Sequence, residues 1–144
     1  MSPAQALARL MTGNQRFRNN KLQHPDLDST RREKLVGGQS PFAVILSCSD
    51  SRVPPELIFE PGLGDLFEVR LAGNTVTRAG LESIDYAVSH LRTRLIMVLG
   101  HESCGAVKEA LGECASKPAT ELPEIFANIC PAVEQARKRA VTDL

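Results

Sequence analysis

Apolar residues in the first eighteen positions recur three and four apart, at Leu7, Leu10, Met11 and Phe17, with Asn14 as a polar interruption. Ser2 is a capping residue and Pro3 suits a first turn, so the spacing predicts a helix over 2–18 that Asn19-Asn20 ends. A short helix is expected over 30–36, stopped by Gly37-Gly38. The period then changes. Residues 42–46 form an unbroken apolar run leading into Ser47-Cys48, the pattern of a buried strand. Pro54-Pro55 opens a short helix through Phe59, closed by 61–64. A second strand is expected over 65–71, a turn at Ala72-Gly73-Asn74, and a helix over 77–91 with Leu81, Ile84, Tyr86, Ala87 and Val88 near its buried side. A third, wholly apolar strand over 95–99 ends at Gly100. Helix resumes over 103–111, and a loop is expected near 112–120. A last helix over 122–140 contains Pro131, which either kinks it or starts a new one.

Strands that alternate with helices and are buried on both faces predict an α/β fold: a mostly parallel central sheet flanked by helices, with an N-terminal helical arm. One domain is expected over 1–144, divided into the arm (1–38), an α/β core (39–111) and a C-terminal helical segment (112–144). In such sheets, ligand sites form outside the carboxyl ends of the strands.

Charge narrows the function classes. Seventeen Lys and Arg balance seventeen Asp and Glu, which removes the basic footprint of nucleic-acid binding. No apolar run approaches the roughly 18–20 residues of a membrane span, and no signal peptide is visible, so a cytoplasmic location is expected. Cys48, Cys104, Cys114 and Cys130 are too few and too scattered for a disulfide-stapled scaffold. Cys114 and Cys130 match no motif and are expected as core or surface thiols; His24 and His90 are expected as surface residues.

Two polar clusters lie where the sheet rule places a site. Cys48-Ser49-Asp50-Ser51-Arg52 directly follows the first strand, and alternation along extended backbone turns Cys48, Asp50 and Arg52 to one side. His101-Glu102-Ser103-Cys104 directly follows the third strand, with His101 and Cys104 three apart at a helix start. Two thiolates and an imidazole are a donor set that zinc prefers, and three protein ligands with an open fourth position form the catalytic rather than the structural pattern. Each piece also has an ordinary reading, as a small core cysteine or a surface ion pair; their convergence favours a zinc site. Other cysteine and glycine chemistries fit poorly. A phosphatase loop needs Arg where Pro54 stands, Gly62-x-Gly64 lacks the third glycine of a dinucleotide loop because Phe67 is there, and no C-x-x-C occurs.

With Val53 and His101-x-x-Cys104, the first cluster closely resembles the β-class carbonic anhydrases. The resemblance extends over Gly13-Asn14-Gln15-Arg16-Phe17, the stretch from Phe67 to Asn74, and Gly100-His101 into Cys104-Gly105. It implies zinc held by Cys48, His101 and Cys104, with Asp50 and Arg52 as a paired dyad. It also implies reversible hydration of carbon dioxide to bicarbonate by attack of zinc-bound hydroxide. Two thiolates would neutralise the formal charge of the zinc ion and leave its water less acidic, so activity is expected to rise toward alkaline pH. Gln39, Phe67 and Tyr86 match substrate-pocket positions of the plant-type branch. There such groups come from the neighbouring subunit, so a homodimer or dimer-based tetramer is implied. The branch whose site is shut by the aspartate carries a non-catalytic bicarbonate pocket of Trp, Arg and Tyr. This chain has Arg70 at the Arg position but Ile45 at the Trp position, which favours an open resting state. Members of the family continue past the last helix expected here. Hydrolysis of carbon disulfide or carbonyl sulfide on the same fold, or a silent zinc-stabilised binding module, are the alternatives.

Overall fold

The computed structural model describes residues 1–142, and side chains through residue 139. Its elements are α1 (Pro3–Arg18), α2 (Ser29–Leu35), β1 (Ala43–Ser47), α3 (Pro55–Ile58), β2 (Leu66–Arg70), α4 (Arg78–Ser89), β3 (Ile96–Leu99), α5 (Gly105–Ser116) and α6 (Glu124–Thr142). Short 3₁₀ turns stand at Ala72–Asn74 and Ala119–Glu121. The three strands form a parallel sheet in the order β2-β1-β3, so the α/β expectation holds. No helix among the described residues is long and apolar enough to cross a membrane.

Central β1 is buried along its whole length. Ala43 and Ile45 pack with Leu10 of α1 and Phe59 after α3. The arm starts at a capping box, with the Ser2 hydroxyl accepting from the Gln5 N–H and the Gln5 side chain from the Ser2 N–H. Its buried face differs from the expected stripe: Ala6, Leu10 and Gly13 are inside, whereas Leu7, Met11 and Phe17 are exposed. The small residues win the inner face because the helix lies close against the chain after α3. A Cβ on Gly13 would sit 1.7 Å from the Phe59 carbonyl oxygen. Gly13→Ala is therefore expected to cost about 3 kcal/mol or more, read from the urea midpoint. The Arg16–Glu60 ion pair, and Arg9 and Arg31 on Asp65, tie the arm and α2 to the loop before β2.

The outer strands are not buried on both faces. Ile96 and Val98 of β3 are 48% and 61% exposed, because β3 pairs with β1 on one side only among the described residues. Likewise α4 buries Gly80 and Ala87 and leaves Leu81, Tyr86 and Val88 exposed. Two helix boundaries also move. α5 continues past Gly112 to Ser116, and α6 runs unbroken through Pro131. These two helices share a second apolar cluster of Ala110, Ile129 and Val133. Here Cys114 and Cys130 are not free thiols but a disulfide, with Cα atoms 5.6 Å apart. The 16-residue separation carries no motif; only the antiparallel packing of the two helices brings the residues together.

β2 carries one misplaced charge. A Glu68 carboxylate oxygen is buried without a partner, and burial, together with the neighbouring Glu56 carboxylate, raises the acid to about 7. Between its ordinary 4.5 and about 7 the folded chain keeps a proton that the unfolded chain loses. Stability therefore falls as pH rises across that window and stays lower above it. Glu68→Gln is expected to flatten this dependence and to stabilise the protein at pH 8 by on the order of 1 kcal/mol. That figure is discounted for the half-exposed position. Urea midpoints at pH 5 and pH 8 check it.

Candidate metal centre

Parallel pairing sets Ser47, the last residue of β1, opposite Leu99, the last residue of β3. Both chains leave the sheet at the same edge, and the two loops that follow converge there. Cys48 comes from the first loop; His101 and Cys104 come from the second, with Cys104 as the N-cap of α5. The ligand atoms of the three residues lie within 4.8 Å of one another. Cys48 and Cys104 are both buried and outside any disulfide.

Three observations fit a tetrahedral metal. The Cys48 and Cys104 sulfurs are 3.8 Å apart, the spacing of about 3.8 Å expected for two sulfurs each about 2.3 Å from one ion. His101 Nδ1 lies 3.0 Å from the Glu102 carbonyl, so it carries the proton and leaves Nε2 with its lone pair. That Nε2 is buried without a hydrogen-bond partner, a cost that a metal in the cluster would remove.

The surroundings favour a thiolate at Cys48. Burial pushes the thiol up, but the adjacent His101 imidazole, the Asp50 and Gly73 N–H groups and Cys104 outweigh it and hold it at about 7. The Asp50 N–H is 3.4 Å and the Gly73 N–H 3.3 Å from the sulfur. Gly73 reaches this position in the left-handed region, at φ 72°, and a Cβ there would meet Ile129 of α6 at 2.8 Å.

Asp50 and Arg52 form the expected dyad. Asp50 Oδ1 accepts from the Arg52 backbone N–H and from Nε, each at 2.9 Å, and Oδ2 accepts from Nη2 at 2.6 Å. Arg52 Nη2 also donates to the Ser103 carbonyl at 3.3 Å, which links the two loops. These bonds from Arg52 hold the Asp50 carboxyl well below the usual carboxylate range. Its Oδ2 lies 3.9 Å from His101 Nε2. An ionised acceptor therefore stands beside the imidazole without belonging to the sulfur–nitrogen cluster.

The remaining expected residues are elsewhere in this chain. Gln39 is exposed ahead of the amino end of β1, whereas Cys48 follows its carboxyl end. Five strand residues at about 3.3 Å each separate the two ends. Phe67 is mid-strand in β2, and its ring meets Tyr86 of α4 with centroids 6.3 Å apart. Tyr86 also stacks on His90 at 5.0 Å. Two contributors escape a reading of motifs, the Gly73 N–H and the Ser103 carbonyl, and a third, Arg70, stands out in the sequence for a different role: its guanidinium bonds the Cys48 and Asp50 carbonyls at 3.1 and 2.9 Å. Two act through backbone atoms, which no residue type announces. For Gly73 the one available signal is the Ala72-Gly73-Asn74 turn.

Comparison with known proteins agrees with this geometry. The family model described as carbonic anhydrase matches residues 43–143. Carbonic anhydrase 2 of Mycobacterium tuberculosis is 43% identical over 139 residues, covering 95% of this chain and 67% of that protein. Among solved structures, the β-carbonic anhydrase CcaA superposes with a TM-score of 0.64 at 33% identity, over 95% of this chain and 66% of that one. One described as among two tetrameric β-carbonic anhydrases from Sordaria macrospora gives 0.61 at 26% identity, over 97% of this chain and 65% of that one. The chain thus spans about two thirds of the length of these relatives.

Proposed function

This chain belongs to the β-class carbonic anhydrase family, and on that premise we propose that it hydrates carbon dioxide reversibly to bicarbonate and a proton, with zinc as its resident metal. The observation that carries this reading is the Cys48–His101–Cys104 cluster, with its unpartnered imidazole nitrogen, beside an ionised Asp50. Cys48 Sγ, His101 Nε2 and Cys104 Sγ would hold the ion. Bound there, zinc supplies the Lewis acidity that activates water toward carbon dioxide.

The protein groups do the positioning. Asp50 has acceptors only, and Arg52 donors only. Held by Arg52, Asp50 takes a hydrogen bond from the reacting water and so aims an oxygen lone pair away from itself, toward the substrate carbon. Arg52 also bonds the Ser103 carbonyl, so the dyad and the His101–Cys104 loop move as a unit. Gln39 and the Phe67–Tyr86 ring pair lie apart from the cluster within one chain, which supports a homodimer or dimer-based tetramer in which a neighbouring copy brings these groups to the pocket. Exposed Tyr86, Leu81, Leu7 and Met11 provide apolar surface for such an assembly.

Stopped-flow hydration of carbon dioxide by the zinc-loaded protein at about pH 8.5 tests the reading. Turnover well above buffer, lost in Cys48→Ser, is the expected result. Zinc-replete protein without turnover would overturn it, as would carbonyl sulfide being consumed faster than carbon dioxide.

A further inference from the structure

The bond between Cys114 and Cys130 has no part in the chemistry proposed above, yet it joins the two helices that meet behind the metal centre. α5 begins just after its N-cap Cys104, a residue of the cluster, and carries Cys114 near its far end. On α6, Cys130 directly follows Ile129, and both are buried. The Ile129 Cδ1 methyl closes off the space in front of Gly73. A Cβ on that glycine would meet this methyl at 2.8 Å and Ala106 of α5 at 3.5 Å. Gly73 in turn donates its N–H to the Cys48 sulfur at 3.3 Å. A continuous line of contacts therefore runs from the disulfide through Ile129 and Gly73 to Cys48, and a second runs along α5 to Cys104.

The packing on this line leaves room for movement. A cavity of about 350 Å³ opens between α5, α6 and the Gly73 turn, with Gly73, Leu111, Ile129 and Val133 in its wall. Two side-chain hydrogen bonds also bind α6 to its surroundings, Asn128 to the Val76 carbonyl at 3.2 Å and Arg137 to the Leu111 carbonyl at 3.0 Å, and both are exposed to water. The disulfide is the one covalent tie. We propose that it is a redox switch on the metal centre: oxidised, it holds Ile129 against the Gly73 turn and keeps the Gly73 N–H on the Cys48 sulfur; reduced, it frees α6 to shift into the cavity and slackens the grip on the metal. The reductant is a dithiol. Its thiolate attacks the sulfur of Cys114, which is half-buried where Cys130 is buried. The S–S bond breaks, Cys130 leaves as a thiolate and takes up a proton, and the second thiol of the reductant displaces Cys114 from the mixed disulfide. Two electrons and two protons pass to the protein, giving two cysteine thiols and one oxidised dithiol. The inference rests on the reading of the cluster as a metal centre.

The test follows transfer of zinc from the loaded protein to the chelating dye pyridylazoresorcinol, before and after reduction with dithiothreitol that is removed by gel filtration under argon. Thiol titration of the denatured, metal-free protein prepared in air is expected to find two of the four cysteines free; four free thiols overturn the proposal. Reduced protein is expected to release zinc roughly 10- to 100-fold faster than oxidised protein, with its far-UV circular dichroism kept, and reoxidation by oxidised glutathione is expected to restore the slow rate. Equal rates in the two forms, or a slow rate that reoxidation fails to restore, overturn it. So does loss of the far-UV signal on reduction, which would make the bond a staple of the whole fold. Ile129→Val removes only the Cδ1 methyl that faces Gly73. It is expected to speed release from the oxidised form and to shrink the response to reduction, an effect that a general loosening of the protein would not give; a full parent-like response in this variant overturns the route through Ile129. If the oxidised, zinc-loaded parent fails to hydrate carbon dioxide, the functional reading falls, while the transfer rates still decide the switch.

Discussion

Cys48→Ser is expected to lose the bound metal on dialysis and to hydrate carbon dioxide roughly 10³-fold or more slowly than the parent. A serine hydroxyl does not ionise near neutral pH, so the site loses a thiolate donor and its charge at once. The loss is not repaired locally. The Asp50 and Gly73 N–H groups that stabilise the sulfur at 3.4 and 3.3 Å would face a shorter, weaker acceptor. The stability cost is expected to be small by comparison, because the substitution is close to isosteric at the end of a fully buried strand. Metal content after dialysis, together with a urea midpoint for the apo forms, separates the two effects. A Cys48→Ser protein that keeps one equivalent of zinc would remove Cys48 from the ligand set.

Asp50→Asn is the second large effect, with activity expected to fall by about 10²- to 10⁴-fold while zinc stays bound. Asn offers one carbonyl acceptor where Asp offers two charged oxygens, and its amide nitrogen would face donors on Arg52 instead of accepting from them. Since Asp50 stands outside the sulfur–nitrogen cluster, metal content should match the parent's. Arg52→Ala discriminates position from ionisation. Arg52 holds the Asp50 carboxyl well below its usual range. The stabilisation linked to that depression is present above the ordinary carboxylate value and is lost as pH falls through the depressed one. Without Arg52 the carboxyl returns toward about 3.9, which still leaves it ionised at neutral pH. A loss of activity in Arg52→Ala at neutral pH therefore reports a misplaced carboxylate, not a protonated one. A pH–rate profile that recovered fully at alkaline pH would contradict this.

Much of the site was legible in the residues. Cys48 and the His101–Cys104 pair each stand just past an apolar run ended by polar residues or glycine, and strand-following loops of a parallel sheet share one edge. Their convergence could therefore be expected before any coordinates. The Asp50–Arg52 dyad is equally local, since two residues in one loop with complementary donor inventories need no distant partner. The faces of the elements were not legible in the same way. Leu7 and Met11 obey helical periodicity as well as Leu10 does. The inner face went to Ala6 and Gly13 because α1 lies against the Phe59 carbonyl, where a side chain has no room. β3 reads as a buried strand from its composition, yet its exposure depends on what pairs beyond it.

By itself, then, the sequence determined the order of elements, the parallel sheet, and the meeting of Cys48, His101 and Cys104 beside the Asp50–Arg52 pair. Each of these follows from short-range periodicity, or from the rule that loops after parallel strands meet. The tertiary structure alone decided that Cys114 bonds Cys130, that Gly73 and Ser103 serve through backbone atoms, and that Arg70 spends its guanidinium on the Cys48 and Asp50 carbonyls. The physical reason is common to all three. Main-chain donors and acceptors are the same in every residue, and a contact between distant segments depends on how helices and strands pack, which no local pattern records.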